Sequence, residues 1–348
     1  MELIADYDLE ELKTKVAALG QPSFRAGQIF KWIYSGADFS EMTNLPNAFR
    51  NELSKKYIAQ PLHIKEKFNS SDGSVKFLYE CFDGNVIEGI YMPHAYGNTL
   101  CVSTQVGCRM GCSFCASGIG GLVRNLSAGE IAAQVIAVNK YLGGSVTERK
   151  LSNIVLMGSG EPLDNYDNVT KFLRLITDKN ALDFGMRSIS LSTCGIAENI
   201  RRLADEGYGV TLSLSLHATT DESRRELMPI ANKYTLNEVI NAVKYYFEKT
   251  GRRIIFEYSL VKGKNMSYFD CKRLAELTRG YPSHVNLIKL NYVKEKGMQG
   301  CSDEEAERFA KKLNELNVSA TVRRSFGNDV GGACGQLRRS YIDKRQGN

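Results

Sequence analysis

Three of the nine cysteines stand close together in Cys108-Arg109-Met110-Gly111-Cys112-Ser113-Phe114-Cys115, a C-x3-C-x2-C spacing. Thiolates are the usual protein ligands of iron–sulfur clusters, and three of them on a four-iron cluster leave one iron open to an outside ligand. A structural zinc site is the plainer alternative, but it takes four ligands in paired groups. The sequence offers no second C-x2-C pair and no histidine nearby. Gly107, Gly111, Gly118, Gly120 and Gly121 surround the motif; they would let backbone wrap closely around a cluster, or serve only as turn formers.

Other polar groups recur where strand-like runs end. Gly158-Ser159-Gly160-Glu161-Pro162-Leu163 follows one run, Ser192-Thr193-Cys194-Gly195 the next, then Ser213-Leu214-Ser215-Leu216-His217-Ala218 and Leu290-Asn291-Tyr292. Any one of these could be a capping residue. Several at corresponding strand ends imply a ligand site, because ligands of parallel α/β barrels gather at the C-terminal ends of the strands. Cys334 lies in Gly331-Gly332-Ala333-Cys334-Gly335, which reads as a flexible loop rather than a core strand. Cys81, Cys271 and Cys301 have no such setting and are expected to be structural, the common fate of a free thiol. His63, His94 and His284 are expected at packing or surface positions.

The elements that must position these groups follow from periodicity. Residues 1–60 read as short amphipathic helices, with Leu9, Leu12, Val16 and Leu19 at helical spacing. Residues 61–97 form a β meander or linker, with runs at His63–Phe68, Ser74–Glu80 and Asn85–Met92 parted by turn signals. From residue 98 to 348, β runs alternate with helical runs. Strands are expected at Thr99–Thr104, Asn153–Met157, Ser188–Ser192, Val210–Leu216, Ile254–Leu260 and Val285–Asn291, with a short seventh at Val318–Val322. Helices are expected near 127–142, 166–178, 196–206, 235–250, 267–279 and 303–316. The fold class is α/β, and six β-then-α units imply parallel strands in a partial six-strand barrel. A doubly wound open sheet has the same periodicity.

The length favours two domains, or one large barrel with an added module. With 348 residues, 43% hydrophobic and 24% charged, the chain can build a sizeable core. No apolar run approaches a membrane span, and the acidic start lacks the features of a signal peptide, so a cytoplasmic protein is expected. Net charge is +6, and its placement is uneven. Residues 318–348 hold Arg323, Arg324, Arg338, Arg339, Lys344 and Arg345 against Asp329 and Asp343. Such a cluster suits a polyanion such as RNA, or is simply a solvated face. Lys262, Lys264, Lys289, Lys294 and Lys296 would extend it into a basic rim.

The cysteine motif after a first barrel strand, with Phe114 before the last Cys, resembles the radical S-adenosylmethionine superfamily. The resemblance narrows to the RlmN/Cfr family of RNA adenosine methyltransferases. It runs through Phe24-Arg25-Ala26-Gly27-Gln28-Ile29-Phe30-Lys31-Trp32-Ile33-Tyr34, Met42-Thr43-Asn44-Leu45-Pro46, Cys101-Val102-Ser103-Thr104-Gln105-Val106-Gly107-Cys108, Arg225-Glu226-Leu227-Met228-Pro229-Ile230 and Ala333-Cys334-Gly335-Gln336-Leu337. Pro162, in Gly160-Glu161-Pro162-Leu163-Asp164-Asn165, is similar to the RlmN branch, where the Cfr branch usually has Ala.

The resemblance implies a [4Fe-4S] cluster on Cys108, Cys112 and Cys115. It implies S-adenosylmethionine contacts from Gly160, Glu161, Ser192, Ser215, Leu216, His217 and Asn291, with two molecules used per turnover. Cys334 would carry a methyl group taken from the first; the second would yield a 5′-deoxyadenosyl radical that removes hydrogen from it. The resulting methylene adds to adenine, and Cys101 resolves the thioether by thiol exchange, with Glu88 as proton acceptor. The implied product is 2-methyladenosine in 23S rRNA at the peptidyl-transferase centre and in the anticodon loop of some tRNAs, with a reductant such as flavodoxin. Two rivals stand beside this reading: a Cfr-type carbon-8 methyltransferase, and, from another class, a protein-activating radical enzyme or a non-catalytic iron–sulfur or zinc-binding RNA module.

Overall fold

The computed structural model describes residues 1–290, 297–330, 337, 338 and 341 of the chain. The first helices are α1 (Leu9–Ala18), α2 (Phe24–Tyr34) and α3 (Asn47–Lys56). Asp8 and Glu11 close a capping box at the start of α1, satisfying two otherwise orphaned amides. Leu12 and Val16 then meet Ile29, Phe30, Ile33, Phe49 and Leu53 in one apolar core. Strand β1 (Glu2–Leu3) pairs in parallel with β2 (Tyr57–Ile58), tying the two ends of the bundle together.

Three antiparallel strands follow, β3 (Leu62–Asn69), β4 (Val75–Cys81) and β5 (Val86–His94), and a tight turn leads into β6 (Gly97–Cys101). The meander does not stand apart from the barrel. Its last strand pairs with β6 from Ile90↔Cys101 to His94↔Gly97, so one sheet runs through both. After β6 a small hairpin, β7 (Gln105–Gly107) with β8 (Leu122–Asn125), brackets the cysteine loop. Both strands are too short for periodicity to show, and neither was expected.

The remaining elements alternate: α4 (Ala128–Tyr141), β9 (Asn153–Leu156), α5 (Tyr166–Ile176), β10 (Ile189–Thr193), α6 (Ala197–Asp205) and β11 (Thr211–Ser215), followed by the unforeseen α7 (Asp221–Leu227). Then come α8 (Leu236–Thr250), β12 (Ile254–Leu260), α9 (Tyr268–Leu277), β13 (Ser283–Lys289), α10 (Asp303–Glu315) and β14 (Ala320–Val322). The sheet order is β14-β13-β12-β11-β10-β9-β6-β5-β4-β3. The seven strands from β6 to β14 pair in parallel, and among the described residues the sheet does not close, which makes a partial barrel. A doubly wound sheet is excluded, because the strand order never reverses.

Period-two alternation sorts the two faces of the barrel strands. Ile154, Ile189, Leu191, Leu212, Leu214, Phe256 and Tyr258 face the helices and are fully buried. Ser190, Ser192, Ser213, Ser215, Glu257, Ser259 and Asn286 instead line a common cavity with residues of β5 and β6. The α4 helix joins barrel to bundle: the Gly129 N–H donates to the Asp6 carboxylate at 2.7 Å. A side chain at Gly129 would collide with the Ala5 backbone at 2.7 Å. Among the described residues no helix is long and apolar enough to cross a membrane.

Candidate active site

The cysteine loop is closed on itself before it is packed against anything. Gly107 has φ +81, and a Cβ there would sit 2.1 Å from the Gly121 carbonyl oxygen. That oxygen also accepts the Cys108 N–H at 3.1 Å, so the loop begins and ends at one crossing that only glycine allows. Two further contacts fix its interior. The Leu227 carbonyl at the end of α7 accepts the Ser113 N–H at 2.9 Å and the Ser113 hydroxyl at 3.1 Å. The Phe114 ring meets His217 edge-on, with centroids 4.7 Å apart.

Cys108, Cys112 and Cys115 all line a cavity of about 810 Å³ inside the barrel. Burial, reinforced by the Cys115 sulfur, pushes the Cys108 thiol up to about 12. Burial raises Cys112 further, again with Cys115 and Cys108 adding to it. Among the described residues no three His, Cys, Asp or Glu side chains converge as they would around one ion. Three cavity-lining thiols offer one thiolate to each of three irons of a cluster and fall one short of the four protein ligands of a structural zinc site.

The turn after β9 is pressed onto the end of β6. A Cβ at Gly158 would lie 2.6 Å from the Val102 carbonyl oxygen, and one at Gly160, where φ is +109, would lie 2.7 Å from the Gln105 side chain. Glu161, at the end of this turn, is buried in the cavity wall. Its carboxylate accepts the Leu163 N–H at 3.0 Å and the Cys194 N–H at 2.7 Å, which fastens β9 to β10. Burial raises its pKa, although these hydrogen bonds oppose the shift.

Further around the barrel, the Ser192 and Ser215 hydroxyls lie 3.3 Å apart. Ser215 is in register with Glu257, Glu257 with Asn286, and Asn286 with Thr321, so one polar layer crosses four strands. The Asn286 amide donates to Glu257 at 2.9 Å, and Arg323 approaches the other carboxylate oxygen at 3.5 Å. His217 has φ +55, a conformation His tolerates better than most residues. Its Nδ1 accepts the Ser259 N–H at 2.9 Å. Burial, with a smaller contribution from Arg224, lowers its pKa to about 3. The ring is therefore neutral and carries its proton on Nε2.

Of the residues singled out by sequence, Cys101, Cys108, Cys112, Cys115, Gly160, Glu161, Ser192, Ser215 and His217 line this one cavity. Leu216 does not: it is fully buried on the opposite face, and only its backbone, donating to the Glu257 carbonyl at 3.0 Å, is close. Glu88 lies on the same face of β5 as the cavity-lining Ile90 and Met92. Its carboxylate pairs with buried Lys76 at 3.4 Å and accepts the Arg338 N–H at 2.8 Å. Asn291 and Cys334 lie outside the described residues; Arg338 is four positions beyond Cys334 in sequence.

The expected basic rim is only partly free. Lys262 pairs with Glu305 at 3.4 Å, Lys264 with Glu226 at 2.9 Å, and Lys289 with Asp303. Arg323 and Arg324 do line the cavity; Lys294 and Lys296 are outside the described residues. His94, expected at a packing or surface position, also lines the cavity, stacked on Tyr96. Sequence reasoning missed Asn265, whose amide donates to the His217 and Ser259 carbonyls at 2.8 and 2.7 Å. It also missed Glu257 and Arg224. A charged residue at an inward position of an apolar strand was the available signal for Glu257.

The cavity thus joins a three-thiol loop to polar strand ends able to hold a zwitterionic, ribose-bearing ligand. Comparison with known proteins agrees. Residues 102–270 match the Radical SAM superfamily, and residues 3–58 match the ribosomal RNA large subunit methyltransferase N-terminal domain. A protein named as a probable dual-specificity RNA methyltransferase RlmN from Clostridium botulinum (strain Okra / Type B1) is 48% identical, covering 99% of this chain and 100% of its own. One of the same name from Clostridium perfringens (strain 13 / Type A) is 51% identical, with 99% of each chain covered. The crystal structure of a radical SAM methyltransferase from Sphaerobacter thermophilus superposes with a TM-score of 0.92 at 41% identity, covering 97% of this chain and 99% of that one. With identity at this level running from end to end and both halves of the fold matched, the chain belongs to the RlmN family of radical S-adenosylmethionine enzymes.

Proposed function

We propose that the protein methylates carbon 2 of adenosine in 23S rRNA and in the anticodon loop of tRNA, in a cytoplasmic setting, with a flavodoxin-like protein as reductant. The observation that carries this reading is the second thiol. Cys101, at the end of β6, faces the same cavity as the three cysteines of the loop. An enzyme that only generates a radical on a protein partner has no use for it.

The residues present suit a four-iron cluster and S-adenosylmethionine: three thiols for the cluster, and Gly160, Glu161, Ser192, Ser215, the Leu216 backbone, His217 and Asn291 for the methionine and ribose. Once bound, these groups supply the methyl group and the hydrogen-abstracting radical, chemistry that carbon 2 of adenine cannot undergo by polar attack. The chain's own part is positioning and thiol exchange. Cys334 carries the methyl carbon to adenine. Once the adduct has given up one electron to the bound cofactor and its carbon-2 proton, the Cys101 thiolate attacks the Cys334 sulfur, forming the S–S bond as the S–C bond breaks; the electron pair stays with the adenine-bound carbon, which takes up a proton to become the methyl group. Glu88 takes the proton lost from carbon 2. Lys76, paired with it at 3.4 Å, holds the carboxylate in place. The helical bundle, which carries nearly balanced charge, grips RNA away from the reacting base, which is drawn out of its stack.

The test is anaerobic reconstitution followed by reaction with rRNA and tRNA fragments and mass spectrometry of the digested nucleosides. The reading expects 2-methyladenosine in both. A product carrying the methyl group on carbon 8 would assign the Cfr-type reaction instead, and cleavage of S-adenosylmethionine with no RNA methylation would overturn both.

A further inference from the structure

Arg224 is among the largest fully buried side chains, with 0% of its surface exposed. Its Nη2 donates to the Cys194 carbonyl at 2.6 Å and approaches the Ser215 carbonyl at 3.5 Å. The Nε and Nη1 groups are buried with no hydrogen-bond partner among the described residues. A buried, unpaired cation costs several kcal/mol and persists where an anion answers it. Burial lowers its pKa, with Cys194, Cys112 and Asp221 opposing the shift. Arg224 also rides on α7, whose last carbonyl holds Ser113 inside the cysteine loop. It does not line the cavity, so it acts from behind the wall rather than by touching a ligand there.

We infer that the Arg224 guanidinium is the fixed countercharge of the thiolate-held cluster and sets how readily that cluster accepts an electron. Three thiolates on a four-iron core leave one net negative charge before reduction and two after it. A fixed positive charge in a low-dielectric wall stabilises the second state more than the first. The reaction considered is only the gain of one electron from an external low-potential reductant, with no bond made or broken. Arg224 is a positioning and tuning residue, and the inference stands whichever RNA is the substrate.

The measurement is the midpoint potential of the reconstituted cluster, followed by electron paramagnetic resonance against graded dithionite, with iron content as control. Arg224→Lys keeps the charge; Arg224→Gln keeps a donor for the Cys194 carbonyl and loses only the charge. The expectation for Arg224→Gln is a full iron complement and a reduced-to-oxidised ratio about tenfold lower at fixed poise, a midpoint lower by about 59 mV for a one-electron couple. Arg224→Lys should restore most of the difference. Should Arg224→Gln fail to fold, Arg224→Met carries the same comparison. An unchanged midpoint in the neutral variant, or equal falls in the neutral and lysine variants, would overturn the inference. So would a fall seen only with S-adenosylmethionine bound, because that would assign Arg224 to the ligand's carboxylate.

Discussion

In the helical bundle of α1 to α3, the buried positions are Leu12, Val16, Ala26, Ile29, Phe30, Ile33, Tyr34, Phe49 and Leu53. Among the described residues of 1–60 no other polar or charged side chain is buried. The barrel and its wall are the reverse: Gln105, Glu161, Ser213, His217, Arg224, Glu257, Ser259 and Asn265 are all buried, each on a strand or on the segment that follows one. The first region is held by area removed from water, roughly 25 cal/mol per Å² and indifferent to direction. The second is held by directed partners, and removing one leaves another unsatisfied. Variants of the two regions should therefore fail in different ways.

The largest effect is expected at the cysteine loop. Replacing Cys108, Cys112 and Cys115 together with Ala should abolish bound iron, measured as iron and sulfide per chain. The bundle core should be untouched, since the cavity these thiols line takes no residue from α1 to α3. A full four-iron complement in the triple variant would remove the basis for the site.

Next comes Cys101→Ala, which changes one sulfur atom in the cavity. The variant should bind the cluster and add to adenine, yet fail to release its RNA because no thiolate attacks Cys334. A denaturing gel should show a protein–RNA adduct that is absent when Cys334 is replaced as well. Normal multiple turnover by Cys101→Ala would mean that exchange between the two thiols does not operate.

The bundle offers the converse case. Phe30 is almost fully buried, with its ring 4.7 Å from that of Tyr34. Phe30→Ala should cost about 3–5 kcal/mol through lost transfer energy and the cavity left behind. Urea unfolding reads this directly. Cluster content and potential measured on the folded fraction should match the parent protein, and a loss of iron in step with stability would show that the two regions are not separable.

How far each region was legible in the sequence follows from the same contrast. Apolar periodicity marked the bundle, the meander and all seven parallel strands, because burial imposes a repeat that one chain displays by itself. The site was legible where it is a spacing of distinctive residue types, as in Cys108, Cys112 and Cys115. It was not legible where partners come from afar. Arg224 sits in Asp221-Glu222-Ser223-Arg224-Arg225-Glu226, which looks like a solvated run, and nothing local separates buried Arg224 from exposed Arg225. Only a seven-residue helix too short to announce itself turns one inward. Likewise, pairing of the meander with β6 depends on an edge that sequence patterning does not assign.

The smallest expected effect tests the barrel's polar interior through acid. His217 is neutral in the fold because burial lowers its pKa to about 3 from an ordinary 6.5. Below pH 6.5 the unfolded chain takes up a proton that the folded chain refuses, so stability falls as the pH drops and stops falling near pH 3. The slope approaches about 1.4 kcal/mol per pH unit, or about 2 kcal/mol between pH 6.5 and 5. Asn at this position tolerates the positive φ and can present Oδ1 to the Ser259 N–H in place of Nδ1. His217→Asn should therefore keep the clamp and lose the acid sensitivity. Urea midpoints of both proteins at pH 7 and 5 provide the check, with the difference between the proteins cancelling every carboxylate they share. Equal acid sensitivity in the two would mean that His217 can be protonated without cost, and that the barrel wall around it is wetter and less tightly partnered than its hydrogen bonds imply.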